Sequence, residues 1–234
     1  MLKAQIDPST IDFSALFGSP SMFDSRKDWA AAGFTVFDRH DESRILVAEH
    51  SCAPGLLFKK YSSATTVDQC RNYEARVDGA DKVREIVRSH GLKHVIVPKK
   101  WIIDLPAIHG PCAHVLAVEK LDLLEVNEIK NRYRTIDAAV LRELCLVLFR
   151  LRGLDSIIDN VAFTSEGKLA FIDTEHWYGG RRRPYLRHIR RYLSSDNRRF
   201  AKKLFRQFEH NHRKIDQNVF VDEEDTSSWS ILSS

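Results

Sequence analysis

Residues 137–173 constrain the fold more than any other part of the chain. Leu141, Leu144, Cys145, Leu148 and Leu151 recur at helical spacing, Asp137 stands where a side-chain oxygen can cap the first turn, and Gly153 ends the run. Two short apolar runs follow, 161–164 and 168–172, joined across Ser165, Glu166, Gly167 and Lys168, a turn with glycine where a positive φ is needed. They read as a hairpin, and a hairpin that begins after Asn160 and closes at Asp173 brings those two residues to one end. A carboxylate and an amide carbonyl are hard oxygen ligands of the kind Mg²⁺ takes while it bridges to substrate phosphates.

Asp155 precedes Asn160 by five positions, the spacing of the catalytic loop H-R-D-x-x-x-x-N, and Asp173 closes an apolar strand where a kinase carries its magnesium-binding Asp. On this ordered set of helix, D-x4-N, strand, glycine turn, strand and Asp, the chain resembles the protein-kinase-like superfamily. The resemblance implies an α+β, bilobal fold with a small β-rich N-lobe and a minimal helical C-lobe. It implies ATP and Mg²⁺ as cofactors, Asp155 as the residue that orients or deprotonates a hydroxyl acceptor, and Asn160 and Asp173 as metal ligands. Gly153-Leu154 replaces the usual His-Arg before the catalytic Asp, and Thr174-Glu175 replaces the Phe-Gly that usually follows the metal Asp.

Upstream, residues 34–37, 44–48 and 56–61 read as three short strands divided by polar or Pro-Gly segments, in the order of a kinase N-lobe. Leu57-Phe58-Lys59 resembles the end of a V-A-I-K strand, whose lysine contacts the α and β phosphates. On a pleated strand only one of Lys59 and Lys60 can face the cleft, and Lys59 is the choice. A lysine pair on an edge strand also guards against aggregation. Residues 67–90 are helical in character, with Val83, Ile86 and Val87 as an apolar stripe and Gly91 as terminator. Glu85 beside that stripe is the expected partner of Lys59, and Glu74 is the alternative. Residues 94–98 and 101–105 read together as a fourth strand region, and 114–121 as a fifth strand running into the hinge. By order and spacing, the resemblance places Glu119, Lys120 and Leu121 there, with backbone groups holding the adenine edge.

Departures from the superfamily pattern are specific. No G-x-G-x-x-G lies between the first two strands, where Asp38, Arg39, His40, Asp41 and Glu42 stand instead, and acidic side chains there repel a phosphate unless the loop points away. No A-P-E follows Asp173, and residues 175–184 read as a short substituted activation segment before basic helices near 185–194 and 197–212. The division expected is a leader over 1–30, an N-lobe and hinge over 31–121, a minimal C-lobe over 122–220 and a flexible acidic tail over 221–234. The leader is read as irregular or as short helices packing on a core, and it is assigned no chemistry.

Composition excludes several other classes. The 234 residues, 43% hydrophobic, are enough for a sizeable core. No apolar stretch approaches the roughly 18 residues a membrane span needs, and the first residues lack a signal-peptide core. A cytoplasmic protein, of a bacterium or delivered into a host cytosol, is the expectation. The four cysteines are far apart without a C-x-x-C pair, and the ten histidines lack metal spacing, so reduced thiols and no transition-metal site are expected. The net charge of +4 is uneven, with arginines and lysines gathered between 181 and 203. That basic surface is either solvated or holds an acidic partner, and no nucleic-acid motif accompanies it. The partners expected are ATP and a hydroxyl acceptor, a protein Ser/Thr or a small molecule; the alternative is a pseudokinase that keeps the fold and binds a partner through the basic C-terminal helices without turnover.

Overall fold

The computed structural model describes residues 11–17, 23, 25–37, 45–61, 67–105, 114–151, 153–175, 186 and 188–224. In chain order the elements are α1 (Phe13–Phe17), α2 (Arg26–Ala31), β1 (Phe34–Val36), β2 (Ile45–His50), β3 (Leu56–Tyr61), α3 (Val67–Ser89), β4 (Val95–Ile96) and β5 (Lys100–Asp104). They continue through β6 (His114–Glu119), α4 (Val126–Arg134), α5 (Ala138–Arg150), β7 (Val161–Phe163), β8 (Leu169–Phe171), a 3-10 turn at Ile189–Tyr192 and α6 (Ser195–Glu224). The fold is α+β. One half is an antiparallel sheet ordered β1-β2-β3-β6-β5, and the other is helical around a small β4-β8-β7 sheet.

Strand alternation gives the larger sheet two distinct faces. Leu56, Phe58, Val115, Ala117 and Ile103 look to one side and pack against α1 and α2, where Phe17, Phe23, Trp29 and Phe34 are buried. Edge-to-face contacts order these rings: Phe17 meets Phe58 at 5.7 Å, and Trp29 meets Phe34 at 4.7 Å. The buried Trp29 Nε1 donates to the Phe23 carbonyl at 2.8 Å, so the indole is packed without leaving its donor unpaired. Ser25 and Asp28 cap α2 reciprocally. Among the described residues of the expected leader, α1 and the start of α2 pack on the sheet's covered face, and residues 1–10, 18–22 and 24 lie outside the described residues.

The opposite face carries Leu57 and Lys59, with Leu116, Val118 and Lys100 beside them through the β3-β6 and β6-β5 registers. α3 crosses this face and continues onto the helical half. Its inward residues are Tyr73, Arg76, Ala80, Val83 and Val87, spaced three and four apart as one helix stripe demands. The expected fourth strand region is divided between sheets. Lys100–Asp104 joins the large sheet, whereas Val95–Ile96 pairs in parallel with β8. Glu143 of α5 fixes that crossing by accepting from the Lys93 and His94 amides at 3.0 and 2.8 Å.

In the helical half, α5 is capped by Asp137, whose side chain accepts from Ala139 N at 2.7 Å. It buries Leu141, Leu144, Cys145 and Leu148, and burial pushes the Cys145 thiol up to about 12, so it packs as an apolar group. α4, absent from the sequence reading, lies against the hairpin, and its buried Tyr133 donates to the Val161 carbonyl at 2.7 Å. No helix among the described residues is long and apolar enough to cross a membrane.

Candidate functional site

A cleft of about 440 Å³ lies where the two halves meet. Val47, Leu57 and Val118 of the large sheet, Leu121, Leu123 and Ile129 after it, and Ala162 and Ile172 of the hairpin make its apolar walls. Lys59 is the cation among its lining residues, placed there because β3 alternation turns it with Leu57 and turns Lys60 to the covered face. β3 lies between β2 and β6, so these lysines do not guard a sheet edge. Val118, Glu119 and Leu121 line the cleft at the strand exit. There the Lys120 amide donates to the Gly55 carbonyl at 2.7 Å, while among the described residues the Leu121 main chain makes no backbone hydrogen bond.

At the hairpin end, Val161 pairs with Phe171, and the Ile172 amide donates to the Asn160 carbonyl at 2.8 Å. This register places Asn160 and Asp173 at the same end, and Gly167 closes the other with φ +79°. The Asn160 Nδ2 donates to the Asp155 carbonyl at 3.2 Å, which fixes the loop and leaves Oδ1 as the amide's acceptor. Asp173 Oδ1 accepts from the Glu175 amide at 3.3 Å. The Asn160 amide oxygen and the Asp173 carboxylate are oxygen donors of the sort Mg²⁺ selects, and the donor set fits that ion.

Three cations surround Asp173. Arg76 of α3 is buried, and its Nη2 is 3.4 Å from Asp173 Oδ2 and 2.9 Å from Glu175 Oε2, with Nε also donating to Glu175 at 3.2 Å. The Arg76 carbonyl accepts from Thr174 Oγ1 at 2.6 Å, and Lys100 Nζ donates to the same hydroxyl at 2.7 Å. Burial by itself would raise the Asp173 carboxyl, but the charges of Arg76, Lys59 and Lys100 outweigh it and hold it below the usual carboxylate range. Burial pushes the Lys100 amine down to about 7, Asp173 pulling it partly back while Lys59, Arg76 and Arg84 press it lower. Asp173 is therefore held as an anion among Arg76, Lys59 and Lys100.

The structure puts Lys59 in the lining of the cleft, with Asp173 near enough to feel its charge; Asn160 follows the lining residue Asp159, accepts the amide of the lining residue Ile172 with its carbonyl, and holds the loop at the Asp155 carbonyl with its side-chain amide. It does not bring Glu85 or Glu74 there. Both are exposed on the outer side of α3. The stripe through Val83 that suggested Glu85 faces the helical core, and two residues along a helix turn a side chain about 200° away from it. Arg76 occupies the inward position instead, so α3 contributes a cation where a carboxylate was expected. Sequence reasoning also passed over Lys100, and it marked Thr174 and Glu175 only as departures from the superfamily pattern. Arg76 continues the stripe of Ala80, Val83 and Val87 by four residues, and that was its signal. The turn at 38–44 and most of the expected activation segment, from 176 on, lie outside the described residues.

No family model and no curated protein matches the chain. Among solved structures it is similar to a kinase domain of Mycobacterium tuberculosis PknI, 15% identical over 62% of this chain and 60% of that one, with a TM-score of 0.35. It is also similar to the MAP kinase LmaMPK10 of Leishmania major, 14% identical over 67% of this chain and 51% of that one, with a TM-score of 0.32. The chain spans less than two thirds of either structure. The order of elements is the one that the sequence resemblance implied: a five-stranded sheet crossed by α3, a strand exit into a cleft, then a helix, loop and hairpin ending before Asp173.

Proposed function

We propose that the cleft binds ATP with Mg²⁺ and transfers the γ-phosphoryl group to a hydroxyl, with a protein Ser/Thr as the acceptor. The observation that carries this reading is a cleft with apolar walls that is lined both by Lys59 and by the strand exit at Glu119 and Leu121, with Asp173 within reach of the Lys59 charge. A purine fits between Val47, Leu57 and Ala162, with its edge at the Glu119–Leu121 main chain. Lys59, half-buried in the cleft lining, neutralises phosphate charge as a fixed cation. Asn160 and Asp173 hold the metal, which supplies charge neutralisation across the phosphates. Asp155 orients the acceptor hydroxyl. As its oxygen bonds to the γ-phosphorus and the bridge to the β-phosphate breaks, the hydroxyl proton passes to Asp155 and ADP departs.

Positioning and proton acceptance separate experimentally. Asp155→Asn is expected to bind Mg-ATP within about twofold of wild type and to lose transfer by about a hundredfold or more, the usual weight of a positioned base. Equal loss of binding and transfer would remove Asp155 from that role.

A second reading is a pseudokinase that keeps the fold and binds a partner without turnover. The ion pair of Arg76 with Asp173 favours it, because a cation on the metal carboxylate competes with metal. Nucleotide binding that is indifferent to Mg²⁺, with no transfer to any hydroxyl acceptor, would select it. A small-molecule acceptor is distinguished from a protein by incubating with labelled ATP and following label into the small-molecule and protein fractions separately.

A further inference from the structure

The three residues that follow Ile172 are clasped to α3 by one residue. Arg76 reaches Asp173 and Glu175 with its guanidinium and takes the Thr174 hydroxyl with its carbonyl. Its two carboxylate contacts are unequal. The 2.9 Å contact to Glu175 is of hydrogen-bond length and is joined by a second donor on the same oxygen, whereas 3.4 Å to Asp173 exceeds the ordinary range for N–H···O. One nitrogen, Nη2, stands between the two groups, so the share either receives depends on the other.

Resting on the nucleotide reading above, we propose that Glu175 and Arg76 are positioning residues for Asp173: Glu175 draws the Arg76 guanidinium aside, so that Asp173 is held by α3 yet remains open to a metal. Asp173 is only half-buried, and a carboxylate there beside the buried Arg76 still gains from a nearby cation. A cation hydrogen-bonded fully to Asp173 would instead occupy the oxygen the metal requires. Glu175 resolves the conflict by taking the stronger contact. Thr174 fixes the approach, since its hydroxyl is bonded on one side to the Arg76 carbonyl and on the other to Lys100. The pair thus does through α3 what a carboxylate on that helix was expected to do through Lys59, with the charges exchanged.

The test uses the whole chain, with Mn²⁺ as the metal probe in the presence of a non-hydrolysable ATP analogue, and a crystal structure of each ligand-free variant. Glu175→Gln removes the competing charge but keeps the size. Arg76 is then expected to close to hydrogen-bond distance on Asp173, and Mn²⁺ affinity to fall about tenfold, the weight of one charged hydrogen bond. Analogue binding without metal should change less than twofold. The charge-balanced double variant Arg76→Gln/Glu175→Gln should restore Mn²⁺ affinity to the wild-type level, and it guards against Glu175→Gln failing to fold. An unmoved Arg76 in the Glu175→Gln structure, or unchanged Mn²⁺ affinity with Arg76 moved, would overturn the proposal. If the wild type binds no analogue at all, the nucleotide reading fails by itself, and the movement of Arg76 in the ligand-free structures still decides whether Glu175 holds it off Asp173.

Discussion

At the scale of single residues, Lys100 shows how the site balances stability against charge. It is nearly enclosed, and burial outweighs its attraction to Asp173, so it binds a proton less readily folded than unfolded. The sign follows from that difference. Between about 7 and 10.5 the unfolded chain holds the extra proton, so stability contributed at this position rises with pH through that window, and the full penalty applies below it. Lys100→Met fills the same space without the charge, and Thr174 still donates to the Arg76 carbonyl. The substitution is expected to raise the Tm at pH 6 to 7, a gain in unfolding free energy on the order of a few kcal/mol at most, and to flatten the rise between pH 7 and 10. A lower Tm at pH 6 would show that the amine is held there by interactions stronger than its desolvation. The same residue marks a limit of sequence reading. Lys100 stands directly after Pro98 and Lys99 and looks like a surface lysine, until the pairing of β5 with β6 sets it opposite Val118 on the cleft side.

At the scale of elements, the hairpin that carries Asn160 and Asp173 was legible because its information is local: alternation, a glycine turn and polar ends lie within one short segment. α4 was not. Its apolar positions, Ile129 and Tyr133, are few, and they gain meaning from the buried carbonyl and ring they meet, Tyr133 against Val161 O and Phe163. Tyr133→Phe keeps the ring and removes the donor, leaving the Val161 carbonyl short of a partner. A loss of about 1–2 kcal/mol in chemical denaturation is expected, and an unchanged midpoint would mean that the bond does not anchor the hairpin. α3 taught the complementary lesson. Its C-terminal stripe of Val83, Ile86 and Val87 is plain in the sequence, but the side on which a neighbouring residue stands follows from helical angle and not from sequence neighbourhood. Carrying the same stripe back through Ala80 reaches Arg76 and Tyr73, while Glu85 turns outward.

At the scale of the whole molecule, the large sheet and the helical half are joined by α3, the strand exit after β6 and the crossing at β4. Pairing of Val95 with Leu169 and the two amides accepted by Glu143 place the end of α3 on the helical core, while its beginning lies under the sheet. One cooperative unfolding transition is expected. Glu143→Ala should lower the stability it reports by about 1–3 kcal/mol, because two backbone donors lose a charged acceptor, and two separated transitions would show that the halves unfold independently. The order of lobes could be read from the sequence because each was marked by its own local pattern. The charge arrangement between them could not, since Arg76, Lys100 and Glu175 meet only through contacts between residues far apart in the chain.

The phosphotransferase reading is tested most directly by measuring Mg²⁺-dependent transfer from ATP into a pool of protein hydroxyls with the purified chain, beside Asp173→Ala. Transfer by the wild type that requires Mg²⁺ and falls at least a hundredfold in the variant is the predicted result, in keeping with the loss of a group that holds the metal against developing charge. Neither transfer nor Mg-ATP binding by a folded wild-type protein would contradict it.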